Sequence, residues 1–224
     1  MPRIPATLGY CAALLLIGTV LSFASETSRS AVLFHLSTNL HNLLNGRLAT
    51  LLSSAFVTGG GPVWLTVPVL ACLLALAELR FGTRRLVAIF FGGHIGATLL
   101  VAGGLMVAVD RGWISHAVMR VQDVGVSYGA MAVLGALTAV LTRRWRWAWA
   151  ASWLAVAGLG VALDRTFTSV GHLLALAIGL VSATVMCTLA GRPGQWLDKR
   201  PFTHPDRALL AIAIGLGATC LLLA

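Results

Sequence analysis

Residues 86–109 read LVAIFFGGHIGATLLVAGGLMVAV, with no charged side chain anywhere in the run. A helix needs about 20 consecutive apolar residues to cross the hydrocarbon core of a bilayer. This stretch meets that need, and similar runs flank it on both sides. Working outward, the candidate spans are Leu8–Ala24, Pro62–Ala77, Leu86–Val109, Val124–Leu141, Trp147–Leu163, Ser169–Ala190 and Ala208–Ala224. The expected fold is therefore all-α: a polytopic membrane helical bundle forming a single domain over residues 1–224.

Composition agrees. The chain is 58% hydrophobic and 10% charged, with a mean hydropathy of +0.89. Soluble domains carry roughly 25% charged residues. The net charge of +9 sits in short clusters between apolar runs. That pattern suits loops beside anionic lipid headgroups and does not suit a nucleic-acid-binding face. Cys11, Cys72, Cys187 and Cys220 are widely spaced within apolar runs. No disulfide, metal site or cofactor is expected from them. The first span has signal-peptide features, namely Arg3 and small residues near Ala24, but six more spans follow. A retained signal-anchor helix is the expectation.

Orientation follows from the basic residues. With the N-terminus inside, the inner loops hold Arg3, Arg80, Arg84, Arg85, Arg143, Arg144, Arg146, Arg192, Lys199, Arg200 and Arg207. The outer loops hold Arg29, Arg47, Arg111, Arg120 and Arg165. The positive-inside rule predicts a cytoplasmic N-terminus and an external C-terminus. Residues 25–61 then form a long outer connection that ends in Gly59-Gly60-Gly61-Pro62. Its apolar-patterned part, Leu40–Phe56, predicts short helices lying at the membrane surface or dipping into it.

Polar side chains within spans are costly in lipid and tend to be functional. Glu78 ends the second span, His94 lies in the third, Ser127 opens the fourth and His172 lies near the start of the sixth. The assigned orientation puts Ser127 and His172 at the same outer depth on helices that run in the same direction. Gly125 and Gly129 flank the serine; Gly171, Ala175 and Gly179 form a small-residue stripe beside the histidine. Small residues let helix backbones approach closely, as a Ser–His hydrogen bond between helices requires. Free N–H groups at a helix start would also favour an oxyanion. His94, within Gly92-Gly93-His94-Ile95-Gly96, reads as a packing residue that forms a hydrogen bond. Glu78 reads as an inner-end carboxylate bonding loop backbone or Arg80, Arg84 or Arg85. Trp145, Trp147 and Trp149 read as interface anchors.

These residues carry a resemblance. From about residue 40 to 190 the chain is similar to the rhomboid superfamily of intramembrane serine proteases. The family's G-x-S-G motif is matched by Gly125-Val126-Ser127-Tyr128-Gly129. Its A-H-x-x-G-x-x-x-G motif is matched by Gly171-His172 with Ala175 and Gly179. Its E-x-x-x-G motif is matched by Glu78-Leu79-Arg80-Phe81-Gly82. The resemblance implies a six-helix core, about residues 8–190, plus a seventh helix at 208–224. It implies Ser127 as nucleophile and His172 as general base, with no third acidic member. It also implies transmembrane protein substrates. Fifteen of the sixteen basic residues are Arg, a compositional bias that points to a GC-rich bacterium and so to a bacterial plasma membrane.

The departures are specific. Tyr128 replaces the glycine after the serine, and Met131 stands where an aromatic residue usually packs on the histidine. The oxyanion-hole His and Asn of proteolytic members fall at Pro62 and Thr66, of which only Thr66 has a side-chain donor. Gly125, Tyr128 and Thr66 are the expected site-lining residues. Three readings follow: an intramembrane serine protease, a rhomboid-like protein that binds transmembrane clients without cleaving them, and a small transporter using His94 and His172 as relay groups.

Overall fold

The computed structural model describes residues 4–58, 63–189 and 202–222. Arg3, the Gly59–Pro62 segment, Ala190, Arg192, Lys199 and Arg200 lie outside the described residues, as do the last two residues of the seventh expected span.

The helices are α1 (Pro5–Ser22), α2 (Glu26–Leu36), α3 (Leu40–Leu44), α4 (Thr50–Ser53), α5 (Val63–Phe81), α6 (Thr83–Asp110), α7 (Ser127–Ala136), α8 (Arg143–Asp164), α9 (Phe167–Leu189) and α10 (His204–Leu222). The described residues contain no strand. Helices α1, α5, α6, α8 and α9 are each long and apolar enough to cross a membrane. Every predicted span coincides with a helix, with borders shifted by a few residues.

The fourth span is the main difference. Instead of a full-length helix over 124–141, α7 begins at Ser127 and continues as a 3-10 turn over Leu137–Val140. It is short because protein surrounds it. Tyr128, Gly129, Met131, Ala132, Val133, Leu134, Gly135 and Ala136 are all buried, so it need not match the hydrocarbon thickness. α7 packs most extensively against α9 and next against α6. Its far end is closed by α8. The Arg146 guanidinium donates to the carbonyls of Leu141 (2.9 Å) and Ala139 (3.0 Å), and the Trp149 indole N–H donates to the Leu134 carbonyl (3.1 Å). Trp149 and Arg146 are thus half-buried structural donors, whereas Trp145 and Trp147 stay exposed as expected of interface anchors.

The end of the bundle that carries Glu78 is held by buried charge. Glu78 is 3% exposed. Its carboxylate accepts from the N–H groups of Ala6 (3.0 Å) and Thr7 (2.8 Å) and from the hydroxyls of Thr7 (2.7 Å) and Thr83 (2.7 Å). These N–H groups are orphan donors in the first turn of α1. Glu78 therefore ties the start of α1 to the α5–α6 turn; of the partners expected for it, backbone groups serve, joined by two hydroxyls in place of the arginines. Gly82 makes that turn possible: its φ of +81° lies in the region L side chains avoid.

Arg80 corrects the sequence view more sharply. It is not a loop cation. It lies in α5 with its guanidinium against the Asp206 carboxylate at 2.8 Å, and both groups are buried. The guanidinium also lies 4.3 Å from the Phe202 ring centroid. The pair docks α10 on α5, and α10 also touches α8.

The connection between α1 and α5 forms short helices, α2 to α4, followed by a 3-10 turn at Ser54–Phe56. Leu44, Leu48 and Leu52 are exposed along it. Its inner side is anchored by aromatic packing: Tyr10 lies edge-on to Phe56 (5.2 Å) and Phe90 (5.0 Å), and its hydroxyl donates to the Ala55 carbonyl.

Candidate functional site

The chain reaches Ser127 through a tight turn. Gly125 has φ +143°, a conformation that favours glycine. Val126 serves as the N-cap of α7 with no side-chain cap, so the first backbone N–H groups of the helix have no internal acceptor. Ser127 is the first helical residue and is half-buried.

His172 lies one turn into α9 and is 6% exposed. Its Nε2 atom is buried without a hydrogen-bond partner. No hydrogen bond joins Ser127 to His172. The α7 side chain that meets the histidine is Tyr128, whose ring stands edge-on to the imidazole at 5.5 Å and 82°. A Cβ on Gly171 would come within 2.3 Å of Tyr128 ring and hydroxyl atoms, so the tyrosine occupies the space that the missing side chain leaves. Tyr128 thus supplies an aromatic surface on the histidine from the position after the serine, while Met131 is buried elsewhere in the core. The Tyr128 hydroxyl is buried and approaches the Asp123 carboxylate and Thr168 without reaching hydrogen-bond geometry with either.

The small residues sort by partner. Gly179 lies against the Ala132 carbonyl of α7, where a Cβ would come within 2.0 Å, and Ala175 is fully buried. Gly129, by contrast, faces α6: its Cβ would strike the Phe90 ring at 2.5 Å. Sequence inspection missed Gly135, which lies against the backbone of Leu176, Gly179 and Leu180, and Gly93, which lies against Ala132. Both belong to small-residue sets on their helices, a signal that was present but shared with many other glycines. Thr66 sits half-buried in the first turn of α5, and Pro62 lies outside the described residues.

The Ser–His hydrogen bond that does form was not foreseen. Ser54 Oγ and His94 Nε2 are 3.0 Å apart, with Ser54 fully buried and His94 2% exposed. His94 also lies 6.1 Å from the Tyr128 ring. Tyr128 therefore stands between two buried histidines on α6 and α9.

The turn before Ser127 is held by the long connection. The Asp123 N–H donates to Ser37 Oγ (2.7 Å), and the Asp123 carbonyl accepts from the Thr38 N–H (3.0 Å) and hydroxyl (3.0 Å). The Gly125 N–H donates to the Ser54 carbonyl (3.1 Å). Burial pushes the Asp123 carboxyl up to about 6. Asp164 and Arg165 form no ion pair; Asp164 accepts from the Ser169 hydroxyl at 3.3 Å. Among the described residues no cluster of His, Cys, Asp and Glu suits a metal ion, and Cys11, Cys72 and Cys187 are free thiols.

A family model described as rhomboid-like protein matches residues 1–191. No curated protein matches the chain, and neither does any solved structure.

Proposed function

The chain belongs to the rhomboid-like protein family, and from that premise we propose that it is an intramembrane serine protease that cleaves membrane-anchored substrates, with Ser127 as nucleophile and His172 as general base. The observation that carries the proposal is the His172 Nε2 atom: buried, unpartnered, and on the helix packed against the one that starts at Ser127. An imidazole nitrogen left without a partner in a protein interior is a costly feature. Rotation of Ser127 into hydrogen-bond reach would satisfy it and activate the hydroxyl.

In the mechanism, Ser127 Oγ attacks the scissile carbonyl carbon while His172 Nε2 takes the hydroxyl proton. The oxyanion that forms is met by the uncapped N–H groups at the start of α7. His172 then returns the proton to the leaving amine, and water hydrolyses the acyl-enzyme by the same route. The substrate helix must unwind locally, because an intact helix shields its peptide bonds. The distribution of arginine and lysine supports a cytoplasmic N-terminus, with the Ser127 end of the bundle toward the outer side.

The test is capture of a fluorophosphonate by the purified chain in detergent. Wild type is expected to label and Ser127→Ala to remain unlabelled. Equal labelling of the two would reject Ser127 as nucleophile.

One observation favours a second reading, a relative that binds transmembrane clients without cutting them. The hydrogen-bonded Ser–His pair is Ser54–His94, while Tyr128 fills the space beside His172. That reading predicts equal recovery of the same client proteins on wild type and Ser127→Ala, with cleavage products from neither.

A further inference from the structure

We infer that Ser54 and His94 are positioning residues for Ser127, acting together as a clamp that holds the turn before the nucleophile. The inference rests on the assignment of Ser127 made above. His94 lies mid-way along α6, 2% exposed, where an apolar side chain would pack at less cost in lipid. Its Nδ1 has no partner, and its Nε2 is committed to one atom, Ser54 Oγ at 3.0 Å.

Ser54 links two distant parts of the chain. Its hydroxyl reaches α6, and its carbonyl accepts the Gly125 N–H at 3.1 Å. Gly125 is the residue of the turn with the positive φ, two positions before Ser127. A short path of hydrogen bonds therefore runs from α6 through Ser54 to the backbone that aims Ser127. A second attachment, from Ser37 and Thr38 to Asp123, holds the same turn four residues before the serine. Two attachments along one short segment fix its direction as well as its position. The first is anchored inside the bundle by His94; the second is anchored to the long connection.

Placement of the nucleophile matters because a misplacement of about 1 Å can cost roughly 100-fold in rate. Ser54 is fully buried, so it cannot itself meet a substrate. The Ser54–His94 pair therefore acts through the Gly125 turn.

The experiment uses the full chain in lipid nanodiscs, as wild type and as Ser54→Ala, Ser54→Thr, His94→Phe and His94→Gln. Threonine keeps the hydroxyl, and the glutamine amide can stand in for Nε2. Two quantities are read: hydrogen exchange of the amides at 123–127, and the rate of fluorophosphonate capture across pH. Ser54→Ala and His94→Phe are expected to raise exchange at 123–127 roughly tenfold, the equivalent of about one lost hydrogen bond, with α5 exchange unchanged. They are expected to slow capture by about 10- to 100-fold. Ser54→Thr and His94→Gln should restore both, and the pH profile of His94→Gln should superimpose on that of wild type, since residue 94 moves no proton. If His94→Phe fails to fold, Ser54→Ala, which removes a single oxygen atom, decides. Exchange and capture in Ser54→Ala equal to wild type would overturn the inference. A wild type that never captures the probe, with the exchange pattern as expected, would remove the protease assignment and leave the clamp on the turn standing.

Discussion

Adding one methyl group at Gly179 tests whether close approach of α7 and α9 holds the site together. A Cβ there would lie 2.0 Å from the Ala132 carbonyl oxygen and 2.8 Å from its carbon. Both are backbone atoms, so no rotamer change can yield; the helices must part by more than roughly 1 Å to reach van der Waals distance. Overpacking of this kind costs about 1–3 kcal/mol. It opposes the gain of about 1 kcal/mol that alanine brings over glycine in a helix. Gly92, on α6, provides the control, since a Cβ there meets nothing within 4 Å. Both variants share that propensity gain, so Gly92→Ala should be neutral or stabilised and Gly179→Ala should lie about 1–3 kcal/mol below it, the overpacking cost alone. The assay is reversible unfolding of the reconstituted chain, with fluorophosphonate capture as the functional readout. Gly179 lies two turns along α9 from His172, so parting the helices there also moves the histidine away from α7, and capture should fall further than stability alone explains. Gly179→Ala with the stability of Gly92→Ala would refute the argument that backbone contact sets the α7–α9 distance.

Removing one partner of the buried Arg80–Asp206 pair should destabilise by about 3–5 kcal/mol, because the other charge stays buried without its counter-charge; Arg80→Met and Asp206→Leu together should recover most of that loss, read as protease sensitivity of α10. Glu78→Ala leaves the Ala6 and Thr7 N–H groups without their acceptor, at about 1–3 kcal/mol each, and should expose the start of α1 to hydrogen exchange. Asp123 gives a pH dependence of defined sign. Its folded value, about 6, lies above the usual 3.8, so its contribution to stability is fully present below about 3.8 and lost as pH rises through about 6. Protection of the 121–127 amides should therefore weaken between about pH 4 and pH 6 in wild type and level off above that, and Asp123→Asn should flatten that slope.

The membrane spans were legible in the sequence because lipid imposes a length and a composition on any helix that crosses it. Residues 86–109 announce α6 without reference to any other part of the chain. Span order and small-residue spacing also pointed to contact between the fourth and sixth spans, and α7 packs most extensively against α9. The short α7 was not legible, because burial on all sides frees a helix from the bilayer's length, and burial is a property of neighbours. The fate of Arg80 followed the same logic: counted as a loop cation, it became a buried partner of Asp206, more than a hundred residues away. Gly179 and Gly103 look alike in sequence, yet one lies against a carbonyl and the other against nothing.

The sequence by itself determined that this chain lives in a bilayer as a helical bundle, and which few polar side chains the lipid would tolerate only for a reason. Which of those side chains meet was decided by the tertiary structure. Ser54 found His94, and Tyr128 came to rest on His172. The physical reason is range: hydrophobicity acts on each segment separately, whereas a hydrogen bond forms only where packing brings two atoms to about 3 Å with the right direction.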